Sequence, residues 1–138
     1  MLLACNIAQE KQSDIWYLVL GRSNHMLGNR EMFSNLDEGV KSKVSLRIDS
    51  KVFVMGKGRV NILIKKGEKK YISDVYVVLG LKHNLISIGQ LMQKGYHVFF
   101  KNDVCTILDR PPSGHLITKV KMKNNRMFPL KIRSDLGK

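Results

Sequence analysis

The sequence predicts an all-β fold, a small closed β-barrel with one short helix near residues 84–94. Three observations lead there. Apolar residues recur mostly at every second position, the period of a half-buried strand. The runs are short and bounded by Gly, Pro, Asn and Asp at close spacing, as in small barrels. A helical period is well sustained only over residues 84–94.

In chain order, residues 16–20 read as the first strand, and 29–36 as a short helix. Val44, Leu46 and Ile48 then alternate with Ser45, Arg47 and Asp49, and a further strand covers 52–55. Gly56-Lys57-Gly58 separates it from the next, and paired glycines there suggest a mobile hairpin tip. Val60, Ile62 and Ile64 alternate with Arg59, Asn61 and Lys65, with Leu63 as an apolar intruder. Lys66-Gly67-Glu68 reads as a hairpin loop into strands over 70–73 and 75–79. The helix over 84–94 places Leu85, Ile88 and Leu91 or Met92 on one face and stops at Gly95. Strands over 96–100 and 104–108 flank Lys101-Asn102-Asp103, whose Asn and Asp tolerate positive φ. Arg110-Pro111-Pro112-Ser113-Gly114 breaks the pattern before a last alternation over 116–122.

The chain's 138 residues fit one domain with short tails: a tail over 1–14, the barrel over 15–109, and a separate segment over 110–138. No apolar run approaches the ~20 residues of a membrane helix, so no membrane partner is expected. The start, MLLACNIAQEK, lacks the basic lead of a secretory signal. Cys5 and Cys105 cannot build a disulfide framework. Both point to an intracellular protein, cytoplasmic or nuclear. The formal charge is +13, from 24 Lys and Arg against 11 Asp and Glu, which attracts polyanions. The cations are spread along the chain, so the expected partner is nucleic acid held weakly and without sequence preference.

Candidate chemistry is sparse. His25, His83, His97 and His115 are scattered without ligand spacing, so no metal is expected and these read as surface or satisfied core residues. Ser23 and His25 share a strand face, but no orienting acid stands near them in sequence. No glycine-rich phosphate loop is present, and no cofactor is implied. Trp16, Tyr17, Phe99 and Phe100 lie in apolar strands and read as core.

Several stretches resemble one family. They are Trp16-Tyr17-Leu18, Ser23-Asn24-His25-Met26, Gly28-Asn29-Arg30-Glu31-Met32-Phe33 and Lys69-Lys70-Tyr71-Ile72-Ser73-Asp74-Val75-Tyr76. Leu81-Lys82-His83-Asn84-Leu85-Ile86-Ser87-Ile88-Gly89-Gln90-Leu91 and Lys94-Gly95-Tyr96 continue the match. Together they are similar to the protease region of copia-type (TNT-like) LTR-retrotransposon Pol polyproteins. Residues 115–130 resemble the lead-in to the integrase part, which makes 110–138 a breaker plus a truncated lead-in. The resemblance implies a retropepsin-like aspartic protease, a transposable-element enzyme that cleaves its own polyprotein as a homodimer. In that chemistry two carboxylates share a proton; one deprotonates water while the other protonates the carbonyl oxygen.

At the matching turn, where the family carries Asp-Ser-Gly, this chain reads Val19-Leu20-Gly21-Arg22-Ser23. Val19 replaces the carboxylate, Leu20 the hydroxyl, and Arg22 the small residue behind them. Valine cannot take a proton, so the resemblance implies a pseudoenzyme of the aspartic endopeptidase class with no catalytic residue at this turn. Asp14, Asp37, Asp49, Asp74, Asp103, Asp109 and Asp135 begin no Asp-Ser/Thr-Gly; Asp49-Ser50-Lys51 is the nearest. A guanidinium packed at the protomer interface is costly, so only a weak dimer or none is expected. Gly56, Lys57 and Gly58 fall at the family's flap, and Leu85-Ile86-Ser87-Ile88-Gly89 at the segment beneath its catalytic turn. What remains is binding: peptide in the old cleft, or loosely held nucleic acid.

Overall fold

The computed structural model describes residues 14–39, 42–47, 50–63 and 68–134. Cys5, Asp49, Asp135, most of the expected N-terminal tail and the hairpin residues Lys66 and Gly67 lie outside them. The strands are β1 (Ile15–Val19), β2 (His25–Leu27), β3 (Phe33–Asp37), β4 (Ser42–Arg47), β5 (Ser50–Leu63) and β6 (Lys69–Val78). After β7 (Asn84–Ser87) comes the helix α1 (Ile88–Gln93), followed by β8 (His97–Lys101), β9 (Val104–Leu108), β10 (Leu116–Lys121), β11 (Phe128–Lys131) and β12 (Arg133–Ser134).

The fold is mostly β with one short helix, but it is not the closed barrel that the alternation predicts. One sheet of nine strands runs in the order β11-β1-β7-β2-β6-β5-β12, with β3 and β4 also paired to β5; β10-β9-β8 form a second sheet. The ends of the long path, β11 and β12, are consecutive in the chain with only Ile132 between them. A single residue is too short a link for a strand to fold back and pair with its own continuation, since the tightest common hairpins need two. Ile132 N–H instead donates to Asp14 O at 2.7 Å, and the path stays open.

Alternation places the core. Along β1 the pattern buries Trp16 and Leu18, which join Leu27, Val60, Val75, Ile86, Ile88, Cys105, Ile107 and Val120 in one cluster. Each such aliphatic side chain contributes about 1.5–3 kcal/mol when fully buried. Phe128 and Leu130 of β11 and Ile132 pack against the same cluster. A smaller cluster of Met26, Val54 and Val78 lies apart.

Several expected elements differ from those observed. The helix over 84–94 begins only at Ile88, because Asn84–Ser87 pairs in parallel with β1, Trp16 against Asn84 through Val19 against Ser87. The helix over 29–36 shrinks to a 3-10 turn at Arg30–Met32, after which Phe33–Asp37 pairs with β5. The strands over 70–73 and 75–79 are one strand, β6, with Asp74 at φ +58 inside it. There two residues of β6 oppose one of β5, between the Gly58–Val75 and Val60–Ile72 pairs, which is a bulge. The Asn102-Asp103 turn does join β8 to β9 with both residues at positive φ, as its chemistry demands.

Gly56-Lys57-Gly58 is not a hairpin tip. It lies within the fourteen-residue β5, which pairs along one edge with β6 and along the other with β4, β3 and β12 in succession. The glycines serve close approach rather than a turn. A Cβ on Gly58 would strike Asn35 O, and one on Gly56 would stand 3.0 Å from the Leu36 side chain.

Candidate functional site

Strand β1 ends at Val19, and the chain turns through Leu20-Gly21-Arg22-Ser23 before β2. Val19 and Arg22 are half-buried, Ser23 is exposed and Leu20 is 70% exposed. Gly21 holds φ +81, a left-handed conformation that glycine adopts without a Cβ penalty. The structure thus gathers the five turn residues at one end of β1. It does not bring Gly56, Lys57 and Gly58 into the same strand neighbourhood, because β7, β2 and β6 lie between β1 and β5 in the sheet.

A polar network supports the turn from below. Ser87 Oγ donates to Arg22 O at 2.5 Å and accepts from Gln90 N at 3.0 Å, capping α1. Ser87 N–H donates to His25 Nδ1 at 2.9 Å, and His25 N–H donates to Gln90 Oε1 at 2.8 Å. Gln90 Nε2 reaches Asp74 O at 3.1 Å, a carbonyl of the β6 bulge. Lys94 Nζ closes the outer edge on Ser73 Oγ (2.7 Å) and Asp74 Oδ2 (2.8 Å). Ser87-Ile88-Gly89-Gln90 is a capping-box spacing, the one sequence signal that identifies Ser87 and Gln90. In the usual box the glutamine returns to the cap's own N–H; here His25 is inserted between them. The long-range partners His25, Asp74 and Lys94 carry no local signal.

Electrostatics agree with a structural network. Burial, with Lys94 adding to it, lowers the His25 pKa to about 4, so the ring is neutral at pH 7. The hydrogen bond from Lys94 holds Asp74 below the usual carboxylate range. Ser23 Oγ donates to Asn24 Oδ1 and not to His25, so no serine–histidine pair forms. His25 is a satisfied core histidine. Cys105 is buried in the main cluster, and burial pushes its thiol up to about 11, away from thiolate reactivity. Among the described residues no group of three or more His, Cys, Asp or Glu is placed to hold a metal ion. No helix among them is long and apolar enough to cross a membrane.

Above the turn lies an open cavity of about 260 Å³, bordered by Val19, Leu20, Tyr17, Ile88, Phe100 and Phe128, with Arg126 at its edge. Its lining includes no carboxylate. Of the four aromatics read as core, only Trp16 is fully buried. Tyr17 is half-buried against His83, and Phe99 and Phe100 are 48% and 42% exposed because β8 is an edge strand.

Residues 16–96 match the family model described as Pol polyprotein, beta-barrel domain. Comparison with curated proteins and with solved structures yields no match. The matched stretch runs from β1 to the residue before β8, and so takes in the turn, the β6 bulge and the polar network beneath. With more than half of its length so matched, the chain belongs to the family of copia-type retrotransposon Pol polyprotein beta-barrel domains.

Proposed function

We propose that this domain is a decayed aspartic-protease domain of a Pol polyprotein that binds but does not cut. The observation that carries this reading is the cavity at the end of β1, where aliphatic and aromatic side chains surround the turn and no carboxylate lines it. Peptide hydrolysis by this class needs a carboxylate to take a proton from water, and Val19 and Leu20 offer none. The polar groups nearest the turn are engaged: Ser87 caps a helix and His25 accepts from a backbone N–H. Neither is available as a base.

The same cavity favours retained peptide binding, since its apolar wall suits a hydrophobic side chain of an extended peptide. Dimerisation about the turn would bring two copies of Arg22 together, so the domain associates weakly or not at all.

The test is a reversion set, Val19→Asp with Leu20→Ser and Arg22→Ala, in the chain fused to a cleavable downstream segment. The expected result is pepstatin-sensitive self-cleavage in the revertant and none in the parent. Cleavage by the parent, blocked by the same inhibitor, overturns the proposal.

A further inference from the structure

The second sheet presents a face that the turn and its cavity do not use. In β8, Val98 packs on the core and Phe100 stacks edge-on against Phe128, so His97, Phe99 and Lys101 project from the other side. In β10, Val120 is buried in the core and Lys119 and Lys121 share the outer side. Between them, β9 buries Cys105 and Ile107 in the core, and Thr106, on the opposite side, is itself buried between the flanking strands. Pairing aligns Phe99 with Thr106 and Thr106 with Lys119; one step along, Lys101 meets Val104 and Val104 meets Lys121.

An exposed phenyl ring therefore stands on a short open sheet, with Lys101 beside it and two lysines about 10 Å away across the central strand. The three strands, HVFFK, VCTIL and LITKVK, contain no acidic residue. Residues 110–134 carry seven Lys and Arg and no Asp or Glu. A protein surface would have to be strongly acidic to meet this face, and a phenyl ring ringed by cations gives such a partner little to pack. A base with its phosphate uses both features: rings stack on the phenyl, and lysines neutralise the backbone.

We propose that the outer face of β8-β9-β10 binds single-stranded nucleic acid, with Phe99 stacking an unpaired base and Lys101, Lys119 and Lys121 holding the phosphates. This site does not depend on the reading of Val19. The exposed Phe99, which strand patterning assigns to the core, is the stacking platform. Recognition is sequence-tolerant, because every base offers a π-face. Duplexes bind less well, because their bases are already stacked.

The test uses the whole chain and fluorescently labelled oligouridylate and oligothymidylate, read by anisotropy over a range of salt. Phe99→Ala weakens binding of either strand about tenfold or more, while Phe99→Trp keeps it. Lys101→Gln, Lys119→Gln and Lys121→Gln together lower the log–log salt slope by about 2, at ~0.7 per lost phosphate contact. A matched triple elsewhere, Lys69→Gln with Lys70→Gln and Lys82→Gln, keeps most of the affinity. Unchanged binding by Phe99→Ala overturns the proposal, as does equal loss from the two lysine triples or equal affinity for a duplex. Binding to phosphatidylserine vesicles with no binding to either oligonucleotide overturns it too.

Discussion

The backbone N–H of Ser87 donates to Nδ1 of His25 across 2.9 Å, joining the end of β7 to the start of β2. Because Nδ1 accepts, the ring carries its proton on Nε2, and protonating Nδ1 would destroy the bond. With His25 only 2% exposed, the charged form also loses its hydration.

A pH dependence of stability results. The pKa of His25 is about 4 in the fold against 6.5 in the unfolded chain, so between these values only the unfolded chain binds the proton. The contribution is full above pH 6.5 and is lost as pH falls toward 4, by about 3 kcal/mol in all. Urea unfolding across this window should show the loss. In His25→Asn, whose amide oxygen can still accept from Ser87, the slope should flatten, and an unchanged slope would assign it to other groups.

Gly58 separates the strand reading of β5 from a flap. Within the strand, a Cβ would strike Asn35 O, so Gly58→Ala should cost about 1–3 kcal/mol, as overpacking does. Gly56→Ala meets its nearest atom at 3.0 Å, a flexible leucine methyl, and should cost less. Denaturant midpoints of the two variants decide the matter; a free hairpin tip would accept both.

Asp74 combines an ion pair with a left-handed backbone. Its carboxylate is half-exposed, so the pairing with Lys94 is worth under about 1 kcal/mol. Asn tolerates positive φ, and Asp74→Asn should therefore be mild. Asp74→Val forces a β-branched residue to φ +58 and should lose about 1–3 kcal/mol. Equal melting temperatures for the two variants would mean that the bulge carries no backbone constraint.

Association should respond to Arg22. The parent chain is expected to sediment as a monomer, while Arg22→Ala should associate several-fold more readily by removing the like charges that a dimer about this turn would oppose. A tight dimer of the parent chain would contradict the cost assigned to Arg22 at this turn.

Much of the fold was legible because alternation is a local signal. The strand at β1 and the Asn102-Asp103 hairpin follow from neighbouring residues alone, whereas the inward side of β1, Trp16 and Leu18, is chosen by packing. Asn84–Ser87 was not legible, because its helical spacing also suits a buried strand and only the distant β1 selects between them. The two glycines of β5 were misread for a similar reason. A glycine needed for close approach to Asn35 reads like a glycine needed for a turn.

The sequence by itself determined the β character, the family membership through residues 16–96, the excess of positive charge, and the lack of an acid between Val19 and Ser23. Tertiary structure decided three things. It left the sheet open, since β11 and β12 are too close in the chain to pair. It joined His25, Ser87, Gln90, Asp74 and Lys94 beneath the turn, and it turned Phe99 outward. Periodicity says which residues share a face; only the packing of distant strands says which face is covered.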